Sequence, residues 1–519
     1  MRVFIDARVL HRFVFNFKFT ERVMKSQMYR SISKKEALLC CAFIVLLFAG
    51  IGCSGGSTSM PTPGTGTVRV SISDPPSCMP PNGSFTHVFV TVRSVQAHID
   101  PNANDNSSGW QELAPQLASQ PMQIDLFSTP QTNCVLAQLG SASLPVGSYQ
   151  QIRLLLVSNT PAAGAATPAS NSCAGNGFNC VVLSDNSVHE LQLSSQSNTG
   201  LKIPPGQIVG GPIQVAAGQG VDLNIDFNAC ASIVLEGNGT YRLKPTLTAG
   251  QVSANNSGIG GQAVDSLTKA PITGKVLVAI EQTDSTGVDR IVMQTAADAN
   301  GNFRFCPLPT GTFDIVIDAV NSNNVPYNAT VVLNVPNGTN LNTIPLIAET
   351  GATAPAVLQG FVTATTGTSA ATADVTLAAL QTVSSGGSAA RQITIPLGSI
   401  QAIGATPATG STESISVEAN TNCPTGSPLN ANCAQYTLVV PASNPNVGVF
   451  SSSGVSYTAP ASGDVLFTVD ARAFVPMSGG TADCTPPEMT AAKDTTGQPL
   501  KVTTATTTNV ARIDFKGCS

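Results

Sequence analysis

Apolar and polar positions alternate with a period of two along much of this chain. In "VRVSIS", Val68, Val70 and Ile72 share one face, and "HVFVTVRSV" from His87 repeats the habit. The clearest run, "VDLNIDF", sets Val221, Leu223, Ile225 and Phe227 against Asp222, Asn224 and Asp226. A two-residue period puts one face on a core and the other in solvent, so each run predicts a half-buried strand. Between such runs a turn motif recurs, as "LPVGSYQQIRLLLV" from Leu144 and "LPTGTFDIVIDAV" from Leu308. Pro presets the φ of the first corner, Gly closes the turn without steric cost, and an aromatic, Tyr149 or Phe313, begins the next strand. Two copies far apart predict related sandwich edges in separate modules. The expected fold class is all-β, a tandem array of β-sandwich modules.

One stretch breaks the alternation. Ala37 to Gly52 reads "ALLCCAFIVLLFAGIG" without a charge, after Arg30, Lys34 and Lys35. A basic start, an apolar run and a small-residue exit form a secretory signal, and the run falls short of the ~20 apolar residues of a spanning helix. Residues 1–52 are therefore read as an export segment; "MYRSISKKEALL" from Met28 makes an ordinary beginning, and the residues before it fit no such signal. The exit, Ala49-Gly50-Ile51-Gly52-Cys53, resembles a bacterial lipoprotein lipobox. That resemblance implies cleavage before Cys53, with lipid on its thiol and its new amino group. Gly50 stands where the family carries Leu or another aliphatic, whereas Ile51 and Gly52 fit. Ser54 follows, not the Asp that holds many lipoproteins in the inner membrane. Two or more acyl chains anchor stably, so the membrane is the first implied partner and the outer membrane the implied location, facing periplasm or surface. Residues 53–64, rich in Gly, Ser, Thr and Pro, read as a flexible tether.

Composition narrows the rest. The chain has 519 residues, too many for one core. Only 11% are charged and 42% are apolar, which is not a disordered composition. Nine basic and three acidic residues fall in the first 36, leaving 16 of the 25 basic and 27 of the 30 acidic ones to the rest, a net of −11. With no Lys/Arg cluster in that body, nucleic acid is excluded as a partner. Of 13 cysteines, Cys40 and Cys41 lie in the export segment and Cys53 is the expected lipid site, so ten remain for an oxidising compartment. Proximity pairs Cys173 with Cys180, Cys423 with Cys433 and Cys484 with Cys518. Cys78 with Cys134 is a further expectation, and Cys230 and Cys306 stay unassigned. The absence of any CxxC pair or neighbouring His speaks against metal binding by these thiols.

Three modules follow the tether. Residues 65–252 carry "VRVSISDPP" with Asp74-Pro75, the Val88–Val95 strand, Trp110 with Leu113, "IDLF" from Ile124, "DLNIDFNACASIV" and "YRLKPTL" from Tyr241. This ordered series resembles domain-of-unknown-function family 4382, which implies an envelope lipoprotein context and no activity. Residues 258–348 carry "GGQAVDSLTKAPITGKVLV" and "TAADANGNFRFCPLPTGTFDIVI". They look like a carboxypeptidase regulatory-like domain, implying a transthyretin- or Ig-like sandwich that accompanies peptidases and is not the enzyme. Here Asp298-Ala299-Asn300-Gly301 makes a hairpin bend in which Gly301 takes positive φ. Residues 355–519 begin with an echo of that module shifted by 99 positions, pairing Gly261 with Gly360 and Gln282 with Gln381. Further on, Tyr457-Thr458-Ala459-Pro460 after a Gly turn resembles bacterial Ig-like repeats, so this region is expected to be Ig-like, as one unit or two small sandwiches.

Chemistry is sparse. Outside the export segment only His87, His98 and His189 remain, no G-x-S-x-G elbow occurs, and His189-Glu190 lacks the second His of a zincin. "GIGGQA" from Gly258 precedes a strand, not the helix a dinucleotide site needs. "DANGN" imitates an EF-hand loop, but Ala296 and Pro307 stand at its first and last ligand positions. Asp298 and Asn300 are still weak cation candidates against the hairpin bend. The row with Asp222 and Asp226, joined by Asp74 or Asp125, is another, against a solvated strand face. Trp110 is a candidate sugar-stacking platform or a core plug. No catalytic residue and no cofactor are expected. The sequence reads as a non-catalytic, lipid-anchored envelope protein that binds, adheres or scaffolds, with a surface polysaccharide or protein as partner. The alternatives are an envelope hydrolase of polysaccharide or peptide using two converging Asp/Glu carboxylates, and a plain spacer.

Overall fold

A computed structural model describes residues 64–518 except 76, 79–83, 129–135, 195–199, 245, 253–257, 310, 385–389, 400–409, 421–422 and 476–483. The export segment, Cys53, most of the tether and Cys134 lie outside the described residues. Among the described residues strands dominate, and the single α-helical turn is Ala229–Ser232. Among the described residues no helix is long and apolar enough to cross a membrane.

The first module is built on the two alternating runs with which the sequence announces itself. Strand Thr65–Ser73 lies parallel to Gly220–Phe227, with Val68 opposite Val221, Val70 opposite Leu223 and Ile72 opposite Ile225. Its other edge pairs antiparallel with Ala137–Pro145. These strands, with Leu247–Val252 and Ile208–Val209, form a five-stranded sheet. Its apolar face closes on Val88, Val90 and Val92 of the 14-residue strand Phe85–His98, the centre of a nine-stranded sheet. The turn motif works through its aromatic: Tyr149 is buried and its Oη donates to Pro145 O at 3.0 Å, folding the ring back under the bend.

In the second module Ile259–Asp265 is flanked by Asn302–Phe305 and Asn340–Leu346. This small sheet shares a core with Gly274–Thr283, Val288–Ala296, Thr312–Asn321 and Thr330–Pro336, through Ile259, Phe305, Ile280, Phe313 and Ile315. In the third region Ala356–Thr366 pairs with Asn432–Val440 over nine residues and, on its other edge, runs parallel to Thr507–Asn509 and Ile513–Phe515. The opposing sheet is built on Ala373–Val383. One cluster of buried residues runs through this region to Cys518 and takes in Val316, Ala329, Val331 and Leu333 of the second module.

Modules two and three are stitched together. Val288 and Asp289 pair in parallel with Gln392 and Ile393, so an eleven-stranded sheet runs from one core to the other. The hairpin Asn446–Ser451 with Gly454–Thr458 crosses back, running parallel to Thr330–Leu333 and packing Phe450, Val455 and Tyr457 on the second core. Tyr457 of the Tyr-x-Ala-Pro motif thus serves the neighbouring module.

Disulfides join Cys173 to Cys180, Cys423 to Cys433 and Cys484 to Cys518. The expected Cys78–Cys134 pair is replaced by Cys78–Cys230, with Cα atoms 5.6 Å apart. The parallel register is the reason: Ser73 lies beside Asp226, so the segments that follow the two strands leave the sheet side by side. Cys306 is also disulfide-bonded.

Candidate functional site

The site begins with a strand face that alternation assigns to solvent. On Ala373–Val383, the residues Val375, Leu377 and Ala379 enter the core, which turns Asp374, Thr376 and Ala378 outward. Their cross-strand partners are Phe474, Arg472 and Asp470, so charge and one aromatic ring gather on that outer face. It is not left in water. The Arg242 guanidinium, from the first module, donates to both oxygens of Asp374 at 2.9 and 2.6 Å and also pairs with Glu236. Two residues on, Lys244 is 1% exposed and its Nζ donates to Thr376 Oγ1 at 2.5 Å. Burial lowers the Lys244 ammonium to about 8, against the pull of Asp374 and Glu413. From the second module, Arg290 donates to Asp284 at 3.0 Å and to Glu488 at 2.5 Å, and also pairs with Asp470.

A cavity of about 380 Å³ is left where these three modules meet. Glu413, Asp470, Arg472 and Phe474 are on its wall. Glu413 is 8% exposed and Asp470 4%, yet Glu413 Oε2 and Asp470 Oδ1 have no hydrogen-bond partner. A buried acceptor left unmade costs about 1–3 kcal/mol, so such atoms mark places where a donor is due. Burial raises the Glu413 carboxyl to about 7, with Lys244 opposing. Burial also raises Asp470, with Arg290 opposing. Asp284, although burial pushes it up, is held at about 2 by hydrogen bonds from Thr286 and Arg290. The Arg472 guanidinium lies 5.4 Å from the centre of the Phe474 ring. Chemically, the cavity wall combines carboxyl groups with guanidinium groups and one aromatic ring.

None of these residues is among the sequence candidates. A signal was present in "VDARAF", where Asp470, Arg472 and Phe474 alternate with small apolar residues in a chain with few charges. The named candidates lie elsewhere. Asp222 is half-buried and paired with Arg69 at 3.2 Å. Asn224 and Asp226 are buried, so the solvated-face expectation fails there. Ser71 and Ser73 meet them across the parallel rungs, and Thr248 beside Asp226 reaches the second module at Val292 O. Burial raises Asp226 to about 7. Asp74 is raised well above its usual value by burial and by Asp226, and accepts from Ala229 N. Asp125 instead binds His87 Nδ1 at 2.7 Å. Asp298 spends its carboxylate on the bend, accepting from Asn300 N and Asn302 N at 2.8 Å, while Gly301 takes φ +76°. Trp110 is half-buried: Arg153 covers one face at 4.1 Å and Nε1 donates to Asn104 O. That face is closed to a sugar, and the ring does not plug the core. Among the described residues no group of three His, Cys, Asp or Glu is arranged for a metal ion.

Comparison with known proteins matches residues 65–245 to the family described as Domain of unknown function (DUF4382). No curated protein matches the chain. Among solved structures, the Bacillus anthracis TIE protein is 9% identical, over 87% of this chain and 51% of its own, with TM-score 0.15. The chain spans about half the length of that protein. The shaft pilin SpaA from Lactobacillus rhamnosus GG is 10% identical over 56% of this chain and 98% of its own, with TM-score 0.16. The Streptococcal ancillary pilin is 10% identical over 86% and 99%, with TM-score 0.15. Superpositions this loose carry no argument about function.

Proposed function

We propose that this chain is an exported, lipid-anchored envelope protein whose β modules close around a small polar ligand and bind it without turnover. The observation that carries the reading is the junction cavity of about 380 Å³, with Arg472, Phe474 and the carboxyl groups of Glu413, Asp470 and Glu488 on its wall. Export is supported by the charge-free run before Cys53 and by a disulfide-rich body.

The hydrolase reading has one specific observation in its favour. Two carboxyls with raised pKa on one cavity wall are what a general acid and its partner need. Against it, Asp470 gives its other oxygen to Arg290.

Isothermal titration of the detergent-solubilised full chain against glycan and small-metabolite panels, with product analysis on every hit, separates the two. Saturable binding without product is expected, weakened about 10–100-fold by Asp470→Asn, the range for one hydrogen bond to a charged group. Product formation abolished by Glu413→Gln would replace binding with catalysis.

A further inference from the structure

We propose that the seam between the second and third modules carries a proton-dependent latch. A proton shared by Asp289 and Asp314 lets one guanidinium, Arg391, tie the two modules together there, and loss of that proton to water loosens the contact. The latch is separate from the junction cavity and needs no ligand.

The second module brings three carboxyls to one spot from three neighbouring strands. Glu281 and Asp314 face each other on one antiparallel rung, and Asp289 stands opposite Thr283 on the next strand. Glu281 and Asp289 are 0% exposed and Asp314 5%. Arg391, from the third module, lies 2.8 Å from Asp314 Oδ2 and 3.3 Å from Asp289 Oδ2. Thr283 Oγ1 donates to Asp289 Oδ1 at 2.5 Å, and Asn334 N to Asp314 Oδ1 at 2.7 Å. Asp289 and Asp314 are also hydrogen-bonded to each other. Two carboxylates carry no donor between them, so that bond exists only while the pair holds a proton.

The charges around the spot leave the proton as the balancing element. Arg391 is the one charged residue of Arg391–Ile395, and Thr330–Pro336 has none. Arg290 acts on Glu281, but its own contacts are Asp284, Asp470 and Glu488. Asp318 is faced by Glu349 and Lys275 instead. On Ala373–Val383, Asp374 is taken by Arg242. With one proton on the pair and one on Glu281, a single carboxylate meets a single guanidinium. Without the shared proton, two buried carboxylates meet that guanidinium, and like charge is repelled where water cannot screen it.

The backbone lets such a change act on the seam. Arg391–Ile395 has five rungs to Ala373–Val383 of its own module, and Ile393 and Ile395 sit in that core. To the second module it has two rungs, Val288 with Gln392 and Asp289 with Ile393. Thr394 adds Oγ1 to Asp289 O at 2.7 Å and N to Glu281 Oε2 at 3.2 Å. The strand therefore stays with its module while this short contact opens. Burial raises the Asp314 carboxyl from 3.8 to about 6, with Asn334 and Arg391 opposing. A folded value above the unfolded one stabilises fully below 3.8 and is lost as pH rises through about 6. The latch is tight in acid and loose at neutral pH.

The test is hydrogen exchange of the detergent-solubilised full chain between pH 4 and 8, with EDTA throughout and rates corrected for intrinsic exchange. Protection of Val288–Ala296 and Arg391–Ile395 is expected to fall about 50-fold over that range, with its midpoint near pH 6. Ala356–Thr366, inside the third module, should hold its protection. Asp314→Asn supplies an uncharged donor to Asp289 at every pH, so the seam should stay at its acid level throughout. Glu281→Gln should keep the parent's pH dependence. The parent's own profile decides the matter even if a variant misfolds. Flat protection, or a fall shared equally by Ala356–Thr366, would overturn the latch. A pH dependence that survives Asp314→Asn, or one that vanishes in Glu281→Gln, would overturn it as well.

Discussion

Asp226 shows what alternation along a strand can and cannot say about one side chain. The pattern places it correctly opposite Ile225 and Phe227, on the face away from the core. It is silent on whether another module covers that face. In the fold Asp226 is 5% exposed, accepts from Ser73 Oγ at 3.0 Å, and is raised to about 7 by burial. A carboxyl with a raised folded pKa binds its proton more tightly in the native state than in the unfolded one. Its contribution is fully present below the unfolded value of 3.8 and is lost as pH rises through about 7. Asp226→Asn keeps an oxygen for Ser73 and removes the charge that also raises Asp74. The variant should match the parent near pH 4 and be more stable by about 4 kcal/mol near pH 8, read from urea midpoints at the two pH values. A stability difference that does not change with pH would show that Asp226 is not a buried titrating group. The same blindness hid Glu413, Asp470 and Arg472. The outward orientation of Asp470 and Arg472 is legible in "VDARAF", but the Arg242 and Arg290 side chains that enclose that face come from segments about 180–230 residues earlier in the chain.

Strands are the most legible level, because each carries its own period and its own turn. Pairing partners are not, because parallel neighbours leave no local trace. Chain proximity favours Cys78 with Cys134, whereas the register of Thr65–Ser73 on Gly220–Phe227 delivers Cys78 to Cys230. The consequence is measurable. Cys78–Cys230 closes a separation of 152 residues and Cys173–Cys180 one of 7. Chain-entropy reasoning then gives about 5 kcal/mol for the first bond and about 2.5 for the second. Replacing Cys78 and Cys230 by Ser should therefore lower the denaturation midpoint clearly more than replacing Cys173 and Cys180. The reverse order would mean that the long loop is already restrained in the unfolded chain. The hairpin at residues 446–458 teaches the same lesson. Its Gly turn and Tyr457 are visible in sequence, but its place on the second module's sheet depends on parallel rungs to Thr330–Leu333.

For the whole molecule, the all-β class followed from composition and period together. What neither contains is the closure between modules: a sheet that continues from one core to the next, and a charged strand face roofed by two other modules. Such closure is written in long-range complementarity, with Arg242 to Asp374 across 132 positions and Arg290 to Asp470 across 180. The candidate site is a product of that closure, which is why it surfaced only in three dimensions.

The position of strand Thr65–Ser73 has a mechanical meaning. It is the point where the segment bearing Cys53 enters the fold, and it is clamped between two neighbours, with seven rungs to Gly220–Asp226 on one side. Tension drawn through that segment runs along the strand, so these hydrogen bonds are loaded in shear and must fail together, not peel one at a time. Stretched between its N-terminal segment and Ser519 in an optical trap, the first module should hold to a single abrupt rupture, at a force set by its unfolding barrier. Gradual low-force unzipping would contradict this. A strand held in this way is a force-bearing clasp, placed where an anchored protein would feel the drag of whatever it holds.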